Sequence, residues 1–218
     1  LLTQEILNVP TLFCVNLHGS LLPQYRGAAP INWAIINGEP QTGVTIQKMA
    51  FELDAGDVIS QETIVLSDQM SADELRLLMA EKGAKLLVKT LDDIAPGQYK
   101  SIPQDKTKIS QAPKLTKELG RIVWNNSAQS IERLIRGLKP WPGTFTQYKG
   151  KGLKILEAAV TKVQGVPGTI VNISKEGFVV ACGQEAILVK KVHPEASKAM
   201  TACDFIQGHR VAGGDLLE

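Results

Sequence analysis

Polar and apolar side chains alternate along residues 11–18, TLFCVNLH: Phe13, Val15 and Leu17 fall on one face, and Cys14, Asn16 and His18 on the other. A period of two predicts a β-strand, here a buried one, and sets Asn16 and His18 side by side. Two further strands are predicted from TGVTIQKM (42–49) and VISQETIVL (58–66). Between them AFELDAGD has the Asp and Gly residues of a turn, which would carry Asp54. Ser71 followed by Glu74 has the spacing of a capping box and predicts a helix to about Ile94, where Ala95-Pro96-Gly97 stops it. Ahead of the first strand, LTQEILNVP reads as the last turns of a helix.

Periodicity is lost over residues 95–117, a stretch that holds Pro96, Pro103 and Pro113. It reads as a linker between domains at 1–94 and 118–218. Ser127 then suits an N-cap for a short helix with an apolar stripe of Ile131, Leu134, Ile135 and Leu138, closed by Gly137 and Pro140. Short strands near 144–149, 153–160, 168–173, 177–182 and 185–192 follow, separated by Gly-rich turns. That succession predicts a small antiparallel barrel.

Composition adds two things. With 44% hydrophobic residues and no run near the roughly 18 apolar residues of a membrane span, the pattern is that of a globular protein. The net charge of +2 is unevenly spread: residues 1–110 hold 9 Lys/Arg against 13 Asp/Glu, and residues 111–218 hold 15 against 9. A basic second half suits a polyanionic partner, although an ordinary lysine-rich surface gives the same count. Cys14, Cys182 and Cys203 form no CxxC motif, and His18, His193 and His209 have no ligand spacing, so the expectation is reduced thiols and no metal.

Asn16 and His18 stand at the carboxyl end of a predicted strand, where open α/β sheets bind ligands. Alone, an N-x-H pair reads more often as a pair of satisfied structural groups than as chemistry. With Asp54 delivered by the next turn, an amide, an imidazole and a carboxylate suit acyl transfer: two donors for a developing oxyanion, and a base to orient them and move a proton. Arg26 and Tyr25 could touch substrate or fasten their own loop. Glu52 and Asp57 read as turn and surface residues, and Trp33, Trp124 and Trp141 as core or domain-interface residues rather than stacking platforms.

The run NLHGSLLPQYRGAAPINWAIINGE, then TGVTI, then ELDAGD, resembles the folate-dependent formyltransferase family. The resemblance implies that Asn16, His18 and Asp54 are catalytic, and that Ser20, Leu21, Leu22 and Pro23 lie against 10-formyltetrahydrofolate, the formyl donor, with no metal. KLTKE, the Trp124 region, PWPG (140–143) and DFIQGHRVAGGDLL resemble the branch of that family that formylates the α-amine of initiator methionyl-tRNA for translation initiation. The implied fold is α/β: the second half of a Rossmann-like catalytic domain with a mainly parallel sheet, then a small antiparallel OB-like β-barrel that binds tRNA. The resemblance also implies a cytoplasmic monomer, in a bacterial cytosol or an organelle matrix. It further implies catalytic sequence ahead of Leu1, so that this chain alone is expected to be a weak enzyme. A glycinamide ribonucleotide formyltransferase would lack the second domain. An aminosugar formyltransferase, a formyltetrahydrofolate dehydrogenase, or a tRNA-binding remnant without catalysis stay open as alternatives.

Overall fold

A computed structural model describes residues 2–218, and the chain divides into two units with their boundary between Leu115 and Thr116. The first unit runs α1 (Gln4–Leu7), β1 (Val15–His18), β2 (Arg26–Gly27), α2 (Pro30–Asn37), β3 (Gln41–Lys48), β4 (Val58–Val65), α3 (Ala72–Ile94) and β5 (Gln111–Ala112). Its main sheet has the order β1-β3-β4, and both pairings are antiparallel.

This corrects the expectation of a mainly parallel sheet. Among the described residues the one parallel strand pair is β2 with β5, two residues on each side. The physical reason lies in the connections. A parallel pair needs a crossover of roughly a dozen residues or more, and the 49–57 turn is too short for one, so β4 must return against β3. The first strand is also shorter than its alternation suggested, because residues 11–14 lie outside it. Its apolar face is only partly covered: Leu17 lies against Gly83 of α3 yet stays 37% exposed, while His18 is 6% exposed. The deepest burial in β1 is that of His18, on the polar face.

Helix α3 begins as its sequence dictates, with the Glu74 carboxylate accepting the Ser71 N–H at 2.8 Å. It buries Leu75 and Met79 in a core shared with Ile35, Val44 and Ile64. Helix α2 has Pro30 in its first turn and ends at Gly38 with φ 69°; the apolar run PINWAIIN has no polar face by which to foresee it. The aperiodic stretch beyond α3 folds back onto this unit. Ile102 and Val58 exchange backbone hydrogen bonds of 2.9 Å, and the Arg26 and Ala28 N–H groups donate to the Ser110 and Ala112 carbonyls at 2.9 Å.

The second unit holds α4 (Ala128–Gly137), β6 (Thr144–Tyr148), β7 (Lys151–Thr161), β8 (Ile170–Ser174), β9 (Gly177–Ala181), β10 (Ala186–Pro194), β11 (Met200–Thr201) and α5 (Ala202–His209). Ser127 caps α4 through its hydroxyl, which accepts the Ser130 N–H at 3.2 Å. The strands form a six-stranded antiparallel sheet in the order β6-β7-β10-β9-β8, with β11 on β10. Its core gathers Ile131, Ile155, Phe178, Ile187 and Phe205. The expected closed barrel is not present, because the edge strands β6 and β8 do not pair. Their free backbone groups are met by the end of the chain. Gln147 and Glu218 exchange hydrogen bonds of 2.8 and 3.0 Å, Leu217 N–H donates to Gly168 O at 2.8 Å, and Ile170 N–H donates to Asp215 O at 2.8 Å. Unpaired edge groups need partners, and here the tail supplies them in place of a strand-to-strand closure.

Candidate active site

The antiparallel register puts Asn16 opposite Gln47 and His18 opposite Thr45, so all four belong to one face of the sheet. The 49–57 turn then brings Asp54 back toward that face. The turn is tight enough that a Cβ on Gly56 would lie 1.6 Å from the Lys48 carbonyl oxygen, which only glycine avoids. Asp54 itself holds φ 52°, in the left-handed region that few non-glycine residues occupy.

There the Asp54 carboxylate is gripped at both oxygens. Oδ2 accepts the Gly27 N–H at 2.9 Å, and Oδ1 accepts from Gln47 Nε2 at 3.2 Å. His18 Nδ1 stands 3.6 Å from Oδ1, with the two side chains 7% and 9% exposed. The other ring nitrogen, Nε2, lies 2.9 Å from the Tyr25 carbonyl oxygen. His18 and Asp54, 36 positions apart in sequence, thus form a buried pair, where a charge interaction is far less screened than in water. Asn16 is half-buried beside them, and its side chain has no hydrogen-bond partner among the described residues. Gln47 Oε1 is likewise buried and unpartnered among them.

The loop between β1 and α2 is fastened by polar side chains of β3 and β4 and by its own Ser20 hydroxyl. Thr45 Oγ1 donates to Ser20 O at 2.6 Å and accepts the Leu22 N–H at 3.1 Å, while Gln61 Nε2 donates to Leu22 O at 2.9 Å. Ser20 is fully buried, with its hydroxyl donating to Gln24 O at 2.6 Å. Leu22 is buried as well, so of the four residues assigned to the folate only Leu21 and Pro23 keep part of their surface. The Tyr25 hydroxyl donates to Glu39 Oε1 at 2.5 Å and accepts from Asn37 Nδ2 at 3.0 Å. Burial first, and then the Glu39 hydrogen bond, push this phenol up to about 12.

Arg26 proves to be a loop fastener. It is 6% exposed and donates from Nε and Nη2 to Gln104 Oε1 at 3.1 and 2.7 Å. Gln47 and Gln104 are the site residues that sequence patterns did not reveal. Neither has a local signal: Gln47 reads as one polar position of a strand, and Gln104 lies in the aperiodic stretch, 50 positions from Asp54. Among the described residues no group of three or more His, Cys, Asp or Glu is arranged to hold a metal ion. In the second unit, two adjoining cavities of about 210 and 360 Å³ lie beside Lys149, Lys151, Lys154 and His193.

Comparison with known proteins gives this arrangement a family. A family model described as formyl transferase matches residues 1–91, and one described as formyl transferase, C-terminal domain, matches residues 114–210. The class is thus that of the formyl transferases. Over its full length the chain is 44% identical to the methionyl-tRNA formyltransferase of Acetivibrio thermocellus, spanning 71% of that protein. It is also 44% identical, over its full length, to that of Moorella thermoacetica, spanning 70%. The chain belongs to the methionyl-tRNA formyltransferase family. Among solved structures, HypX from Aquifex aeolicus in complex with tetrahydrofolic acid matches with TM-score 0.68 and 21% identity, over 88% of this chain and 34% of that one. WlaRD, a sugar 3N-formyl transferase, matches with TM-score 0.65 and 19% identity, over 80% of this chain and 64% of that one. At such identities these two speak for the fold. Among the described residues no helix is long and apolar enough to cross a membrane.

Proposed function

We propose that the chain transfers the formyl group of 10-formyltetrahydrofolate to the α-amine of initiator methionyl-tRNA, with Asn16, His18 and Asp54 as its catalytic residues. The observation that carries this is the buried His18–Asp54 pair, 3.6 Å apart, beside an Asn16 amide with no partner among the described residues. The 44% identity to relatives named for that reaction supports the acceptor. The donor set fits an acyl group, since an amide N–H and an imidazolium both stabilise an oxygen on which negative charge develops. Asn16 holds the formyl oxygen. His18 stabilises its charge from the ring. Asp54 keeps the ring oriented and helps move the proton that the attacking amine loses to N10 of the folate, as the formyl C–N10 bond breaks and tetrahydrofolate leaves. The loop of Ser20, Leu21, Leu22 and Pro23 flanks the folate, its buried members shaping it and its half-exposed members offering surface.

Residues 118–218 are the tRNA-binding part of this reading, with lysines at positions 149, 151 and 154 around the two cavities meeting phosphates. Transfer of labelled formyl from 10-formyltetrahydrofolate to charged initiator tRNA tests the whole. Product should appear with the tRNA and not with a nucleotide-linked amino sugar. The tRNA affinity should fall with salt by about 0.9 log units per log unit of salt for each phosphate neutralised, and Lys151→Ala with Lys154→Ala should flatten that slope. Transfer to the amino sugar alone would favour the sugar-modifying relatives, and tRNA binding without turnover would leave only a binding module.

A further inference from the structure

We infer that Gln104 is a positioning residue for Asp54; the inference rests on the catalytic role proposed for that carboxylate. The Gln104 carboxamide uses one end on the turn that carries Asp54 and the other on Arg26 of β2. Its Nε2 donates to Asp54 O at 2.8 Å and to Gly56 O at 2.7 Å. Its Oε1 accepts from both Arg26 Nε, at 3.1 Å, and Arg26 Nη2, at 2.7 Å. One half-buried side chain therefore ties the backbone of the Asp54 turn to the guanidinium of the residue just before Gly27. Gly27 is the residue whose N–H holds Asp54 Oδ2 at 2.9 Å. Gln104 joins the two ends of that hydrogen bond, the backbone of the acceptor and the neighbour of the donor.

The turn needs such a clamp. Asp54 sits at φ 52°, a backbone state that persists only where its surroundings over-determine it. The other tie from Arg26 is weaker: Glu52 lies 3.5 Å away with its side chain 79% exposed. Arg26 is 6% exposed, and a buried guanidinium without acceptors is costly, so the pairing with Gln104 is held from both sides. A catalytic carboxylate must keep its place to within about 0.5 Å, and supporting residues supply that precision.

Two variants separate the halves of the clamp: Gln104→Ala removes donor and acceptor, whereas Gln104→Glu keeps the acceptor for Arg26 and removes the donor to the two carbonyls. The activity-independent readout is hydrogen exchange of the Gly27 amide by NMR, with the Ile46 amide in β3 as internal reference. Both variants should speed Gly27 exchange by about tenfold or more relative to Ile46, as a local opening does. In formyl transfer both should lower kcat by roughly ten- to a hundredfold, the scale of a small misplacement of a reacting group, with KM for the tRNA nearly unchanged. Unchanged Gly27 exchange in both variants would overturn the inference, as would equal acceleration at Gly27 and Ile46, which marks general loosening. Wild-type behaviour of Gln104→Glu would overturn it too, because it would leave only the Arg26 contact in play. A wild-type chain that transfers no formyl group fails the function proposed above, while the Gly27 measurement still decides whether Gln104 holds Asp54 in place.

Discussion

The imidazole of His18 is anchored at Nε2, 2.9 Å from the backbone carbonyl oxygen of Tyr25. A carbonyl only accepts, so Nε2 is the donor in this contact, and Nδ1 is the ring atom that faces Asp54 Oδ1 at 3.6 Å. The neutral ring should therefore be the Nε2–H tautomer, which ¹⁵N shifts of His18 can read. With the roles proposed for the pair, His18→Ala or Asp54→Asn should each lower kcat/KM for formyl transfer by about a hundredfold or more. The double variant should lose little beyond either single one, and losses that simply multiply would show that the two work separately.

Asn16 is different, because its side chain holds nothing in the fold among the described residues. Asn16→Ala should leave the melting temperature within about a degree, given the small effect of substitutions away from packed or bonded sites. It should cost about 2.7–4 kcal/mol of transition-state stabilisation, the scale for one oxyanion donor. Melting and kcat measured side by side check this; a large loss of stability would reassign Asn16 to structure.

Tyr25 gives a pH dependence with a definite sign. Its phenol is raised from an ordinary value of 10.0 to about 12 by burial and by the Glu39 hydrogen bond. Because the folded value lies above the unfolded one, this contribution to stability is complete below pH 10 and is lost as the pH rises through about 12. Absorbance titration of tyrosinate should show two late-ionising phenols, Tyr25 and Tyr148, the latter also raised by burial and by its hydrogen bond to Asp215, and Tyr25→Phe should remove one of them. Alkaline unfolding of the variant should be less steep between those values.

The end of the chain should be structural. Removing residues 214–218 would free the backbone groups of Gln147, Gly168 and Ile170 that it now meets, together with the Asp215 carboxylate that accepts from the Tyr148 hydroxyl at 2.6 Å. Two bare sheet edges invite pairing with other chains. The shortened chain should melt several degrees lower, since ~1 kcal/mol shifts a domain of this size by about that much, and light scattering should detect its association. An unchanged melting curve would show that the tail is only draped over the sheet.

Much of the site is legible in the amino-acid sequence, and what is legible is local. Alternation locates β1 and sets Asn16 and His18 on one face, turn residues locate Asp54, and the Ser71–Glu74 spacing starts α3 within a residue of its true beginning. Each depends on positions a few residues apart, where the covalent chain already fixes the geometry. The short 49–57 turn already forces β3 and β4 to run antiparallel, but the direction of β1 is not legible, because alternation is the same whether its neighbour runs parallel or antiparallel. The open edge of the second unit escapes for a related reason, since what meets its free hydrogen bonds is a tail without strand periodicity. Gln104 and Gln47 escape because their importance lies in partners brought to them by the fold: Gln104 meets Asp54 and Arg26, 50 and 78 positions away. A hydrogen bond of that span leaves no trace in the neighbouring residues. The sequence determined which side chains could do chemistry, and only the tertiary fold decided which of them are held still enough to do it.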